Sequence, residues 1–236
     1  MLETIKKHIP KSNEITSVKQ AIEIAGSLGK PSKMPCRTWN ISATHCITGG
    51  KLTNVKNSVC EGCYALKGQY IQFAHSFIPA SEKRIKAIDN PLWVKAMAFL
   101  ILNESQKSIN VFRWFDSGDL QSRNHLEKIA HIARLTPNVK HWLPTREYKI
   151  VNDYMSRNIK PDNLNIRLSV HMVDAKPIAN KWDLPTSNVI TKKPDYNTFI
   201  CKAPEQINPK TQKKNFCLDC RACWSPKIKN VSYWKH

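Results

Sequence analysis

The stretch Ile109-Asn110-Val111-Phe112-Arg113-Trp114-Phe115-Asp116-Ser117-Gly118-Asp119 decides the fold. Its first seven residues, rich in β-branched and aromatic side chains, read as a strand, and the small and acidic residues after them as a turn. Ser122–Leu135 follows with Leu126, Ile129, Ile132 and Ala133 on one helical face. The unit then repeats. Val139–Leu143 reads as a strand, Lys149–Arg157 as a helix carrying Ile150, Val151 and Tyr154, and Leu164–Val170 as a strand, with Val189–Thr191 a further candidate. Strand and helix alternating at roughly 25 residues is the pattern of βαβ crossovers on a parallel sheet. A chain of 236 residues is short for a full eightfold barrel of about 250, so the expected fold is α/β, a partial (β/α) barrel or else an open sheet.

Upstream, Ile15–Ala25 has helical apolar spacing with Gly26 as a stop, and Thr38–Ser42 reads as a short strand. Residues 33–70 hold four of the seven glycines together with Cys36, Cys46, Cys60 and Cys63, so most of this segment is loop. Helical patterning returns over Pro79–Leu102, with Pro91 opening a second helix. Downstream of about Pro185 it stops: residues 186–236 hold ten Lys plus Arg against three Asp plus Glu, with Cys201, Cys217, Cys220 and Cys223. The expected organisation is a partial-barrel core over 1–185 and, over 186–236, a basic cysteine-rich extension stabilised by metal because it lacks the apolar content for its own core.

With 37 Lys plus Arg against 18 Asp plus Glu, the formal charge is +19. Such an excess suits a polyanionic partner, DNA or RNA, although solubility alone also accounts for it. The longest apolar run, Ala96–Leu102, is seven residues, against about 20 for a membrane span. Met1–Gln20 has no apolar signal core, so a cytoplasmic location is expected. Thiols stay reduced there, and clustered cysteines read as metal ligands. No phosphate-binding loop, dinucleotide fingerprint or nucleophile elbow occurs. No heptad pattern addresses oligomeric state.

Cys217-x2-Cys220-x2-Cys223 has the spacing of ferredoxin-type [4Fe–4S] sites, and Cys201 supplies a fourth ligand; the same four thiols would also satisfy tetrahedral zinc. Cys46, Cys60 and Cys63 form a first group, with Cys36 either joining or not. Three thiolates would leave one iron of a cluster open to a substrate or cofactor, whereas four would close it. Asp116 and Asp119 flank Ser117-Gly118 at a strand's C-terminal end, where α/β proteins bind ligands, and Arg146 follows another strand. Competing readings are an N-cap at Asp119 or Ser122 and a structural ion pair at Arg146. Arg113 and Arg167, within strands, would face acids or a ligand inside a barrel. His45 beside Cys46 is a further candidate ligand or proton donor. Trp224 reads as a shield over the C-terminal cysteines.

The string Cys60-Glu61-Gly62-Cys63-Tyr64-Ala65, with Phe112–Ser122, His141–Glu147 and the closing Cys-x2-Cys-x2-Cys-Trp, resembles a family of phage-encoded cysteine-rich proteins; this implies work in a bacterial host's cytoplasm. More distantly, the order of parts resembles the radical S-adenosylmethionine superfamily, where a three-cysteine loop after the first strand of a partial barrel binds a [4Fe–4S] cluster. That resemblance implies a cluster on Cys46, Cys60 and Cys63, with Tyr64, Ser117, Gly118 and Asp119 near S-adenosylmethionine and Asp119 accepting from its amino group. The thirteen residues between Cys46 and Cys60 depart from the superfamily's compact Cys-x3-Cys-x2-Cys loop. The C-terminal cysteines resemble its auxiliary-cluster extensions. The expectation is an iron–sulfur redox or radical-type enzyme with one or two clusters, Asp119 and Arg146 at its centre and an electron donor as partner. Its rival is a non-catalytic nucleic-acid-binding module folded around zinc or an inert cluster.

Overall fold

A computed structural model describes residues 14–106, 110–209, 211–212, 214 and 216–235. Ile109 and the first part of the Met1–Gln20 segment lie outside these. Helix α1 (Val18–Ala25) starts later than its apolar spacing suggests because Ser17 caps it, accepting from Gln20 N; it ends at Gly26, whose φ of 77° suits glycine. Strand β1 (Thr38–Trp39) is shorter than the expected 38–42. Beyond Trp39 the backbone turns away: Ile41 N donates to Ser117 O, Ser42 N to Ser81 Oγ, and Asn40 O accepts from Arg84 Nε. Then come α2 (Ile47–Leu52), α3 (Gln69–Gln72), α4 (Ala74–Ala87) and α5 (Trp93–Ser105). Pro79 lies inside α4 rather than opening it, giving up one helical hydrogen bond.

The repeating part follows as expected, with shifted ends: β2 (Val111–Trp114), α6 (Arg123–Leu135), β3 (Lys140–Thr145), α7 (Tyr148–Met155) and β4 (Leu164–Ser169). Ser122 is the cap of α6, accepting from His125 N at 3.1 Å. Strand β5 (Thr186–Ile190) begins before the expected Val189. Strands β6 (Phe199–Ile200) and β7 (Asn230–Trp234) are additions, invisible to hydrophobic patterning because polar side chains such as Asn230 and Ser232 are the buried ones.

Among the described residues the strands form one open sheet in the order β1-β2-β3-β4-β5-β7-β6, every neighbouring pair parallel. This is an α/β architecture consistent with a partial barrel. The sheet runs across the boundary expected near residue 185, with β5, β6 and β7 continuing it.

The two faces differ sharply. Trp39, Phe112, Trp114, Leu143, Ile166 and Leu168 alternate onto the face covered by the helices and build the apolar core with Trp93, Leu126 and Ile129. Trp39, Trp93 and Phe115 meet the fully buried His125 edge-on, and burial lowers its pKa to about 3. The intervening residues, Arg113, Trp142, Asn165, Arg167 and Ser169, belong to the other face. There the extension packs: Trp224 donates from Nε1 to Phe112 O at 2.8 Å and meets Trp142 edge-on at 5.3 Å. Asn165 Nδ2 donates to Cys223 O. Arg167, fully buried, makes no ion pair among the described residues; it donates to the carbonyls of Thr186, Ser225 and Ile228, while its Nε has no partner. Fixed carbonyl dipoles can compensate a buried cation when they satisfy its donors.

Candidate active site at the strand ends

Because every strand is parallel, all the strand-to-helix turns open at one edge, and a cleft of about 490 Å³ lies there. Its walls bring together the whole first set of sequence candidates: Cys46, Cys60, Cys63, Tyr64, Ser117, Gly118, Asp119 and Arg146. The cysteine loop roofs the strand ends and is tied down at two places. Glu147, just after β3, accepts from Thr48 N and Thr48 Oγ1 at 2.8 and 2.7 Å, so it caps α2 from outside. Val59 N donates to His171 O, and Val173 N to Asn57 O, joining the loop to the turn after β4.

The long gap between Cys46 and Cys60 is thus occupied by α2 and a crossing segment, and it returns Cys60 to Cys46. A Cβ placed on Gly49 would lie 3.5 Å from Cys60 Sγ, 3.6 Å from Cys46 Sγ and 3.0 Å from Cys46 Cβ. The two sulfurs are therefore separated by no more than the sum of the first two distances, and glycine keeps the space between them open. Burial pushes the Cys46 thiol up to about 12, reinforced by Asp119, Cys63 and Cys60 and opposed by Arg146. Cys60 is raised by burial too, with Arg146 lowering it. Thiols so placed stay protonated until a cation relieves them. Among the described residues no three His, Cys, Asp or Glu side chains converge as they would around one metal ion.

Asp119 is not a free acceptor. Its Oδ1 accepts from Leu120 N and Thr145 Oγ1 at 2.8 and 2.6 Å, and its Oδ2 from Arg146 N at 2.9 Å. It joins the turn after β2 to the end of β3, leaving at most one of about four lone-pair positions for a ligand. Burial raises its pKa to about 6 against those three hydrogen bonds. Gly118 is required: its φ is +81°, and a Cβ there would lie 2.3 Å from Ile41 Cγ1. Tyr64 keeps its ring exposed at the rim, but its hydroxyl donates inward to Asp116 O. Among the described residues Arg146 has no ion pair, and its Nε is buried without a partner. His45 turns from the cysteines to Glu82, Nε2 to Oε1 2.7 Å. Thr48 and Glu147 were beyond sequence reasoning, since residues so far apart carry no local signal.

The second cysteine group lies below, against the inner face. The Cys217 thiol is within electrostatic reach of Cys201 and Cys220, and the Cys223 thiol of Cys201 and Cys217. Cys223 Sγ is 3.1 Å from Tyr233 Oη, and burial pushes this thiol up to about 12. Cys36, left open between groups by the sequence, stands here: it packs with Val111, Trp142 and Trp224, and its thiol, also pushed up to about 12 by burial, feels Arg113 and Cys217. Trp224 packs on this face against Cys36, Trp142 and Cys223.

No helix among the described residues is long and apolar enough to cross a membrane. No curated protein and no solved structure matches the chain. The family described as gene product 88 matches residues 3–226, and with nearly the whole sequence covered, the chain belongs to that phage-encoded family.

Proposed function

We propose that the cleft is the active site of an iron–sulfur redox or radical-type enzyme, its cluster held by Cys46, Cys60 and Cys63. The observation that carries this is the meeting of three thiols, two of them around the space Gly49 leaves, with polar strand-end residues in one cleft. A cluster bound there would supply electrons. Three thiolates leave one iron position for a further ligand, and the radical S-adenosylmethionine resemblance suggests that cofactor for it. The chain's own residues do the rest. Asp119 fixes the relation of the β2 and β3 ends, Glu147 holds the cysteine loop down through Thr48, and Tyr64 narrows the rim. Cys201, Cys217, Cys220 and Cys223 are read as a second, structural or electron-relaying site with a cluster or zinc, closed over by Trp224.

Anaerobic purification with iron, sulfide and zinc analysis tests the reading. About four or eight irons per chain with matching sulfide supports one or two clusters. Cys60→Ser should then remove one cluster's visible absorption and leave the other. Zinc alone, persisting after reconstitution with iron and sulfide, sinks the enzyme reading and favours the nucleic-acid-binding alternative that the +19 charge allows. That alternative requires DNA or RNA binding that falls steeply with salt.

A further inference from the structure

We infer that the cleft recognises a small substrate bearing one oxyanion group, a phosphate or carboxylate, on an apolar body, and that Arg146, Arg113 and Ser117 form the oxyanion site. The inference takes the cleft as the working site, as proposed above, but needs no metal in it. Acidic and basic groups in this cleft have unequal commitments. Its carboxylates are occupied by neutral donors: Asp116 by Asn40 Nδ2 at 2.8 Å and Tyr70 Oη at 3.4 Å, Glu61 by Asn57 N at 2.6 Å, and Asp119 as described above. Its guanidiniums are less committed. Among the described residues Arg146 has no side-chain hydrogen bond or ion pair, and its Nε is shut away from water without an acceptor.

Arg113 offers five donors. One reaches Met34 Sδ and another Phe115 O, at 2.9 and 3.3 Å, while its Nε is likewise buried with no partner. The guanidinium lies 4.6 Å above the Trp142 ring, which holds it flat against the wall. Ser117, 4% exposed, is in the lining of the same cleft, and its buried Oγ has no hydrogen-bond partner. Arg113, Arg146 and Ser117 all line this one cleft. Buried donors without acceptors are rare in folded proteins and call for a partner. Two guanidiniums and a hydroxyl call for an anion, which accepts from all three. The volume, about 490 Å³, is that of a small-molecule site. Phe115, Val59, Val170 and Val189 in its walls suit an apolar body.

Calorimetric titration of the full chain tests this, with phenyl phosphate and phenylacetate as probes and benzyl alcohol as the uncharged control. Saturable binding of one charged probe and none of the alcohol is expected; the tighter of the two names the oxyanion. Arg146→Met should weaken binding by about tenfold to a hundredfold. Arg113→Gln should do the same and Ser117→Ala less; since Arg113 packs on Trp142, the part-exposed Arg146 keeps the test meaningful if the Arg113 variant fails to fold. Absence of saturable binding, or affinity unchanged in Arg146→Met, overturns the inference. So does displacement of the probe by S-adenosylhomocysteine, which would assign the arginines to a cofactor, or arginine-dependent binding of a single-stranded oligonucleotide with no response to phenyl phosphate. Running the titration on metal-free and iron-loaded protein separates the two proposals: arginine-dependent binding in a chain that never takes up iron keeps the oxyanion site and removes the cluster.

Discussion

The two cysteine groups use the same chemistry in opposite surroundings. Cys46, Cys60 and Cys63 ride on a loop roofing the strand ends, beside polar groups left without partners. Cys201, Cys217, Cys220 and Cys223, with Cys36 nearby, sit where the chain's end lies against the sheet's inner face, and there Asn165, Arg167 and Tyr233 bond within the protein, although Trp142 Nε1 and Arg167 Nε stay without partners. Thiols alone do not set a role. Access separates the two groups, and on the reading proposed above the upper one meets a ligand and the lower one holds the fold.

The comparison breaks most visibly at Trp224. Replacing it with Ala should cost about 3–5 kcal/mol, as for a large buried aromatic, and should also loosen the lower cysteines. Denaturant unfolding measures the first and thiol accessibility to a labelling reagent the second; if the upper and lower groups react equally faster, the two are not separate. Arg167→Met is expected to cost about 3 kcal/mol, because it strips a cation from at least three carbonyls that stay buried. A variant as stable as the parent would mean water satisfies those carbonyls.

Asp119 sharpens the contrast from the upper side. Its folded pKa, about 6, lies above the ordinary 3.8, so between these values the folded chain binds a proton that the unfolded chain has released. The stability this group contributes is therefore complete below about pH 4 and lost as pH rises through about 6, on the order of 2 kcal/mol. The stability advantage of the parent over Asp119→Asn should accordingly be larger at pH 4 than at pH 7; a difference flat across that range would mean the carboxyl is ordinary. The smallest effect is expected at the roof's anchor. Thr48→Ala removes one of the two bonds to Glu147 and should cost about 1 kcal/mol, with faster amide exchange confined to α2.

Legibility followed the same division. The helix-covered face could be read because Phe112 and Trp114, Leu164 and Ile166, Leu126 and Ile129 repeat with the period of their own element. The strand-end site was legible in part, since Ser117-Gly118-Asp119 and Arg146 stand directly after recognisable strands. Asp119's three internal hydrogen bonds were not, because Thr145 Oγ1 and Arg146 N come from a different strand end. Nor was Cys36, whose neighbours in the chain belong to one cysteine group and whose neighbours in space belong to the other.

What the sequence determined by itself was the alternation of strand and helix, the parallel sheet that follows from it, and the inventory of thiols. These rest on local periodicity and on residue type, which need no partner. Only the tertiary structure decided that β7 inserts between β5 and β6, that the extension lies on the sheet rather than apart from it, and that two arginines share a cleft with carboxylates already bonded elsewhere. Pairing and its absence depend on which distant groups arrive within hydrogen-bond reach, and that distance is set by the whole fold.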